Sequence, residues 1–107
     1  MKIILGNVCI YSEMKLQVDP MFIFMKAGSS IEITCTAVQA VCEKPKLQWL
    51  DLSGKIVIDN IESMSGTKLM LTLNDLKTTD TGSYKCRAMD SAGREVKSET
   101  STILVEG

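Results

Sequence analysis

Four cysteines, Cys9, Cys35, Cys42 and Cys86, are the residues of this chain whose types best suit chemistry. A thiolate binds zinc, attacks an electrophile or joins a second thiol as a disulfide. Zinc sites built from cysteine alone use close C-x-x-C pairs. None occurs here, so neither a metal nor another cofactor is expected. Histidine is absent from all 107 residues. That absence removes Ser-His-Asp and Cys-His catalysis and every zinc site that needs an imidazole. Acid pairs such as Asp75 with Asp80 remain, but no pocket pattern converges on them. The chain reads as no enzyme.

The length of 107 residues suits one domain. Residues 14–107 are assigned to it, and residues 1–13 to an N-terminal extension or first strand. Apolar residues make up 45%, enough for one core and too many for a disordered chain. With 12 basic and 13 acidic side chains the net charge is −1, which gives no electrostatic reason to bind nucleic acid or anionic lipid. The longest apolar run, near residues 21–25, falls far short of the ~20 residues of a membrane helix. No membrane segment is therefore expected within this chain. The opening Met1-Lys2-Ile3-Ile4-Leu5-Gly6 is a weak match to a secretory leader, because its apolar stretch is short and Asn7 interrupts it. It is read as part of an ordered extension.

The elements that must position these residues alternate with period two between turn residues, nearly throughout. A strand is expected over residues 14–18. Asp19-Pro20 interrupts it, because proline has no N–H for a ladder. Residues 21–25 resume as a short strand crossing to a second sheet. Gly28-Ser29-Ser30 turns the chain, and Ile31, Ile33, Cys35 and Ala37 then share one inward face. Residues 40–46 form a connection closed by Pro45, and Leu47 and Trp49 are the inward pair of the next strand. After the Ser53-Gly54 turn, residues 56–58 form a short strand on either sheet, and residues 60–66 a polar loop. Leu69, Leu71 and Leu73 alternate on a further strand, with Leu76 packed under the core. Tyr84, Cys86 and Ala88 face inward, Ser91-Ala92-Gly93 makes a hairpin turn, and Ile103 and Val105 face inward on the last strand.

The spacing of Cys35, Trp49 and Asp80-x-Gly82-x-Tyr84-x-Cys86 resembles that of the immunoglobulin superfamily. The chain is similar to its I-set branch over about residues 14–105, nearly all of its length. Gly28 seven residues before Cys35, the run Leu71-x-Leu73-x-x-Leu76, and Ala88-x-Asp90-x-x-Gly93 add to the likeness, with Asp90 in the usual place of an Asn. Only 36 residues separate Trp49 from Cys86, which leaves little room for the two extra strands of variable-type domains.

The resemblance implies an all-β fold: a two-sheet, antiparallel, Greek-key, immunoglobulin-like sandwich. It also implies a Cys35–Cys86 disulfide between the sheets, Trp49 packed beside it, and Tyr84 in a tyrosine corner. Such a bridge closes a loop of about 52 residues, worth roughly 4 kcal/mol in the chain-entropy account. Leu73 joins the core, Gly82 permits tight backbone, and Asp80 either caps that turn or pairs with a cation such as Lys68. These roles are structural, and the fold is nearly silent on function because it hosts many activities.

Individuality is expected outside that frame. Cys9 and Cys42 depart from the family pattern. Either they bridge and pin residues 1–13 to the domain, or they are two free thiols. If Ile23 and Met25 face inward, Phe22 and Phe24 face outward. They then form a contact surface, or residues 2–13 fold back over them. The outer face of the sheet holding Trp49 and Cys86 would show Gln48, Leu50, Lys85, Arg87, Met89, Thr102 and Leu104. That mix suits a modest protein interface or an ordinary solvated sheet.

The leading functional reading is a non-catalytic protein-recognition module, extracellular or at the cell surface, from an adhesion molecule, receptor ectodomain or secreted protein. The partner would be another protein, bound hetero- or homophilically. The alternative is an intracellular structural module of a titin-like muscle or cytoskeletal chain. Asn7-Val8-Cys9 is only the rare cysteine form of a glycosylation acceptor, and Asn60 and Asn74 lack the motif. This favours an intracellular or an unglycosylated secreted domain. Residues 21–25 and the last strand are expected at sheet edges, where pairing across a twofold axis would make a homodimer.

Overall fold

The computed structural model describes residues 4–5, 8–9, 14–38, 46–59, 68–90 and 92–107. Among these described residues ten strands run in chain order. They are β1 (Ile4–Leu5), β2 (Val8–Cys9), β3 (Lys15–Asp19), β4 (Phe22–Lys26), β5 (Ile31–Val38), β6 (Lys46–Leu50), β7 (Ile56–Asp59), β8 (Lys68–Leu73), β9 (Gly82–Met89) and β10 (Glu95–Glu106). β1 and β2 pair as a small hairpin. β3, β5 and β8 form an antiparallel sheet in that order. The second sheet runs β4-β10-β9-β6-β7 and is antiparallel except for β4, which lies parallel to β10.

Period-two alternation decides what each strand buries. Met14, Leu16 and Val18 lead into and along β3, Ile33, Cys35 and Ala37 come from β5, and Leu69 and Leu71 from β8. Leu47 and Trp49 on β6, Tyr84, Cys86 and Ala88 on β9, and Ile103 and Val105 on β10 face them across the sandwich. Leu73, Ile23 and Met25 pack half-buried against this core. Leu76 is buried beneath one end. Its carbonyl accepts from Gly28 N–H at 2.7 Å, and its own N–H donates to the Ser29 carbonyl at 2.9 Å.

The first strand splits where proline stops it. Pro20 cannot donate to β5, and the chain crosses to β10, where Thr102 N–H donates to the Met21 carbonyl at 2.8 Å. The buried Ser101 hydroxyl donates to the Pro20 carbonyl and ties this crossing to β10.

Three expectations are corrected or decided. Leu50 and Gln48 do not show on the outer face; they are only 6% and 5% exposed. β6 is an interior strand, with Leu50 opposite Lys85 on one side and Ile56 on the other, so neighbours cover it. The last strand is not an edge over Thr102–Glu106, because β4 pairs along its far side. Residues 56–59 pair with β6, so this short strand belongs to the five-stranded sheet. The Cys9–Cys42 pairing, the connection closed by Pro45 and the loop over 60–66 lie outside the described residues.

Candidate functional site

Among the described residues, no buried side-chain polar atom lacks a hydrogen-bond partner. Cys35 and Cys86 form a disulfide, both fully buried, with Cα atoms 6.4 Å apart. Trp49 stands opposite Cys86 in the β6–β9 ladder, fully buried, and its indole N–H donates to the Leu69 carbonyl on the other sheet at 3.0 Å. Tyr84 reaches back four residues and donates its hydroxyl to the Asp80 carbonyl at 2.8 Å, making the tyrosine corner. Burial, with the charges of Asp80 and Asp51 nearby, pushes the phenol above its ordinary range, so it stays a neutral donor. Of the two roles open to Asp80, the structure displays the cap: its carboxylate accepts from Lys77 N–H at 2.8 Å across the 3-10 turn Thr78–Asp80.

Gly82 begins β9 at φ +151°, and a Cβ there would stand 2.6 Å from Leu52 Cδ2. Both hairpin turns beside this sheet rest on one device that the sequence reading missed. Asp51 Oδ1 accepts from Ser53 N–H and Lys55 N–H, each at 2.9 Å, and Asp90 Oδ1 accepts from Ala92 N–H and Arg94 N–H at the same distance. In each, a glycine at positive φ, Gly54 or Gly93, donates back to the aspartate carbonyl at 3.0 Å. The shared signal was Asp-x-x-Gly followed by Lys or Arg.

The outer face of the five-stranded sheet divides in two. Its middle is polar and internally paired. Arg87 Nε donates to Gln48 Oε1 at 2.9 Å, and Glu95 takes Lys85 at 3.1 Å and Arg87 at 4.0 Å. Arg87 and Met89 are half-buried there. Its β4 side is apolar. Phe22 and Phe24 are 55% and 63% exposed, and their rings meet edge to face with centroids 5.3 Å apart. Register places Phe24 beside the half-buried Leu104 and Phe22 beside Thr102. Met21, just before the strand, is 60% exposed. The opposite end of the sheet carries exposed Ile56, Val57 and Ile58 on β7, which sequence reading did not single out because the run has no alternation.

Two packed sheets, antiparallel but for β4, a buried inter-sheet disulfide with its tryptophan, and a tyrosine corner define a protein of the immunoglobulin class. The family model described as immunoglobulin domain matches residues 15–89, and the chain belongs to that family. Among solved structures it is similar to the twitchin kinase region of C. elegans, at 23% identity and a TM-score of 0.66, covering 87% of this chain and 16% of that one. It is similar to the N-terminal four immunoglobulin domains of Dscam1 isoform 8.4, at 16% identity and a TM-score of 0.66, covering 87% of this chain and 21% of the other. A chain of the titin M10–obscurin-like 1 immunoglobulin complex is 21% identical with a TM-score of 0.61, covering 85% of this chain and 93% of that one. These likenesses show the fold. The chain spans about a sixth of the twitchin structure and about a fifth of the Dscam1 structure. No curated protein matches the sequence. Among the described residues, no helix is long and apolar enough to cross a membrane.

Proposed function

We propose that this chain is a non-catalytic protein-recognition module of the I-set type, working in the secretory pathway or at the cell surface. The observation that carries the reading is the exposed pair Phe22 and Phe24, kept beside Leu104 on an edge strand of a folded domain. Large aromatic groups left in water at a sheet margin match the composition of interface cores. The surface comprises Phe22, Phe24 and Leu104, with Arg87 and Met89 toward its polar middle. The I-set reading draws on the motif spacing and on the split first strand, half on each sheet. The extracellular reading draws on the buried Cys35–Cys86 bridge, a bond that persists in oxidising compartments.

The surface is tested by binding of bead-immobilised chain to intact cells of the source tissue. The Phe22→Ser/Phe24→Ser variant is expected to lose most of that binding while keeping its melting temperature. Equal binding by both forms overturns this surface. The compartment is tested by alkylation and mass spectrometry of protein isolated from its native source without reductant. Cys35 and Cys86 are expected to resist alkylation until reductant is added. Alkylated Cys35 and Cys86 overturn the extracellular reading and favour the intracellular structural module.

A further inference from the structure

We propose that β4 pairs with the β4 of a second copy of this chain, antiparallel, about a twofold axis that passes between the two Ile23 residues. The proposal rests on the reading of this strand as the recognition edge and names its partner.

Three features converge on self-pairing. Among the described residues, β4 ends its sheet, with β10 on one side and no strand on the other. Its backbone groups are divided between those sides. Thr102 N–H bonds the Met21 carbonyl at 2.8 Å and Ala27 N–H bonds the Glu106 carbonyl at 2.7 Å, at the two ends of the β4–β10 ladder. Alternate residues of a strand direct their N–H and C=O to the same neighbour. Met21, Ile23, Met25 and Ala27 therefore face β10, while Phe22 and Phe24 present their backbone N–H and C=O to the open side.

The second feature is the order of residues. Met21-Phe22-Ile23-Phe24-Met25 reads the same in both directions. A twofold contact uses the same patch on both copies and must be self-complementary. With the axis at Ile23, methionine lies opposite methionine, phenylalanine opposite phenylalanine, and isoleucine opposite isoleucine. Phe22 of one copy and Phe24 of the other then form a hydrogen-bonded antiparallel pair, using the backbone groups that face outward.

The third feature is the side chains. Phe22 and Phe24 share the outer face, so the register gathers four phenylalanine rings into one cluster across the axis. Aromatic cross-strand pairs are among the favourable contacts of antiparallel sheets. The strand carries no charge from Met21 to Met25 to oppose the approach. A contact five residues long lies below the roughly 1,200 Å² of a standard interface, so the dimer is weak and forms at high concentration.

The experiment combines sedimentation of the full chain from about 10 μM to 1 mM, a range that brackets weak complexes, with amide hydrogen exchange by NMR over the same range. Mass is expected to rise toward a dimer, and the Phe22 and Phe24 amides to gain protection with concentration. The Ile23 and Met25 amides, already bonded within the sheet, stay protected throughout. Phe24→Pro removes an N–H that points only to the second copy, and is expected to weaken the dimer at least tenfold while leaving the β4–β10 ladder intact. Phe24→Lys, which keeps the backbone, is expected to do the same and covers the case in which the proline variant fails to fold. A monomer at every concentration overturns the proposal. So does a dimer that both variants leave unchanged, or protection of the Phe22 and Phe24 amides at the lowest concentration, which assigns the edge to a segment of the same chain. A monomer that still binds cells through Phe22 and Phe24 overturns self-pairing alone, whereas a dimer without cell binding overturns the cell-binding surface alone.

Discussion

Trp49 and Leu69 join the two sheets through one hydrogen bond, the indole N–H donating to the carbonyl at 3.0 Å with both residues buried. The bond crosses the sandwich beside the Cys35–Cys86 bridge, so the tryptophan both fills volume and satisfies a backbone acceptor. Trp49→Phe leaves a cavity and removes the indole bond to the Leu69 carbonyl. It is expected to lower stability by about 2–4 kcal/mol, the sum of a packing loss and an unmade bond. Urea unfolding checks this as a lower midpoint at unchanged slope.

The Tyr84 hydroxyl and the Asp80 carboxylate stabilise the same turn from two sides. Tyr84→Phe removes one hydrogen bond and is expected to cost about 1 kcal/mol, lowering the melting temperature by about 4–8 °C. Asp80→Ala removes the bond from Lys77 N–H, with a cost of similar size. Because the two bonds hold one short segment, the double variant is expected to lose less than the sum. A double-mutant cycle by calorimetry reads that difference.

Asp51 and Asp90 make stability depend on acid. The Ser53 hydroxyl bond, then the Lys55 N–H bond, holds the Asp51 carboxyl below its ordinary value, and the Arg94 N–H bond, then the Ala92 N–H bond and the Arg94 charge, do the same for Asp90. A depressed folded pKa means the unfolded chain takes up protons first as pH falls. The stabilisation is thus complete above the unfolded value of about 3.9 and is lost below it, as each group protonates in the folded state. Melting temperature measured from pH 7 to pH 2 is expected to fall in that acid window. The Asp51→Asn/Asp90→Asn variant is expected to show a shallower fall there.

Gly82 combines a positive φ with a crowded Cα. Gly82→Ala places a methyl group against Leu52 Cδ2 and forces an L residue into a backbone region it rarely adopts. A loss of about 1–3 kcal/mol is expected, read by thermal unfolding. Adding Leu52→Ala relieves the contact but leaves the backbone strain, so it restores only part of the loss.

The inward residues were legible in the sequence because strand periodicity is local. Ile33 with Cys35, Leu69 with Leu71, and Tyr84 with Cys86 each stand two apart and share a face in any strand. The spacing of Cys35, Trp49 and Cys86 carried the family. The outer face was less legible. Leu50 has the same spacing from Gln48 that an exposed pair would have, yet both are buried, because the side chains of adjoining strands decide exposure there. The turn roles of Asp51 and Asp90 were hidden for a related reason. An Asp-x-x-Gly run becomes a turn anchor only when the flanking strands bring its amides back to the carboxylate.

By itself, the sequence determined which residues face the core, which pair of cysteines the family pattern joins, and that catalysis by histidine has no basis. Those properties follow from residue type and spacing along one chain. Tertiary structure alone decided that β4 lies parallel to β10, that β7 joins the five-stranded sheet, and that Phe22 and Phe24 remain in water while Leu50 does not. Exposure and edge position depend on neighbours that are remote in sequence. β4 and β10 are joined by register pairs such as Phe24 with Leu104, and only the folded sandwich brings them together.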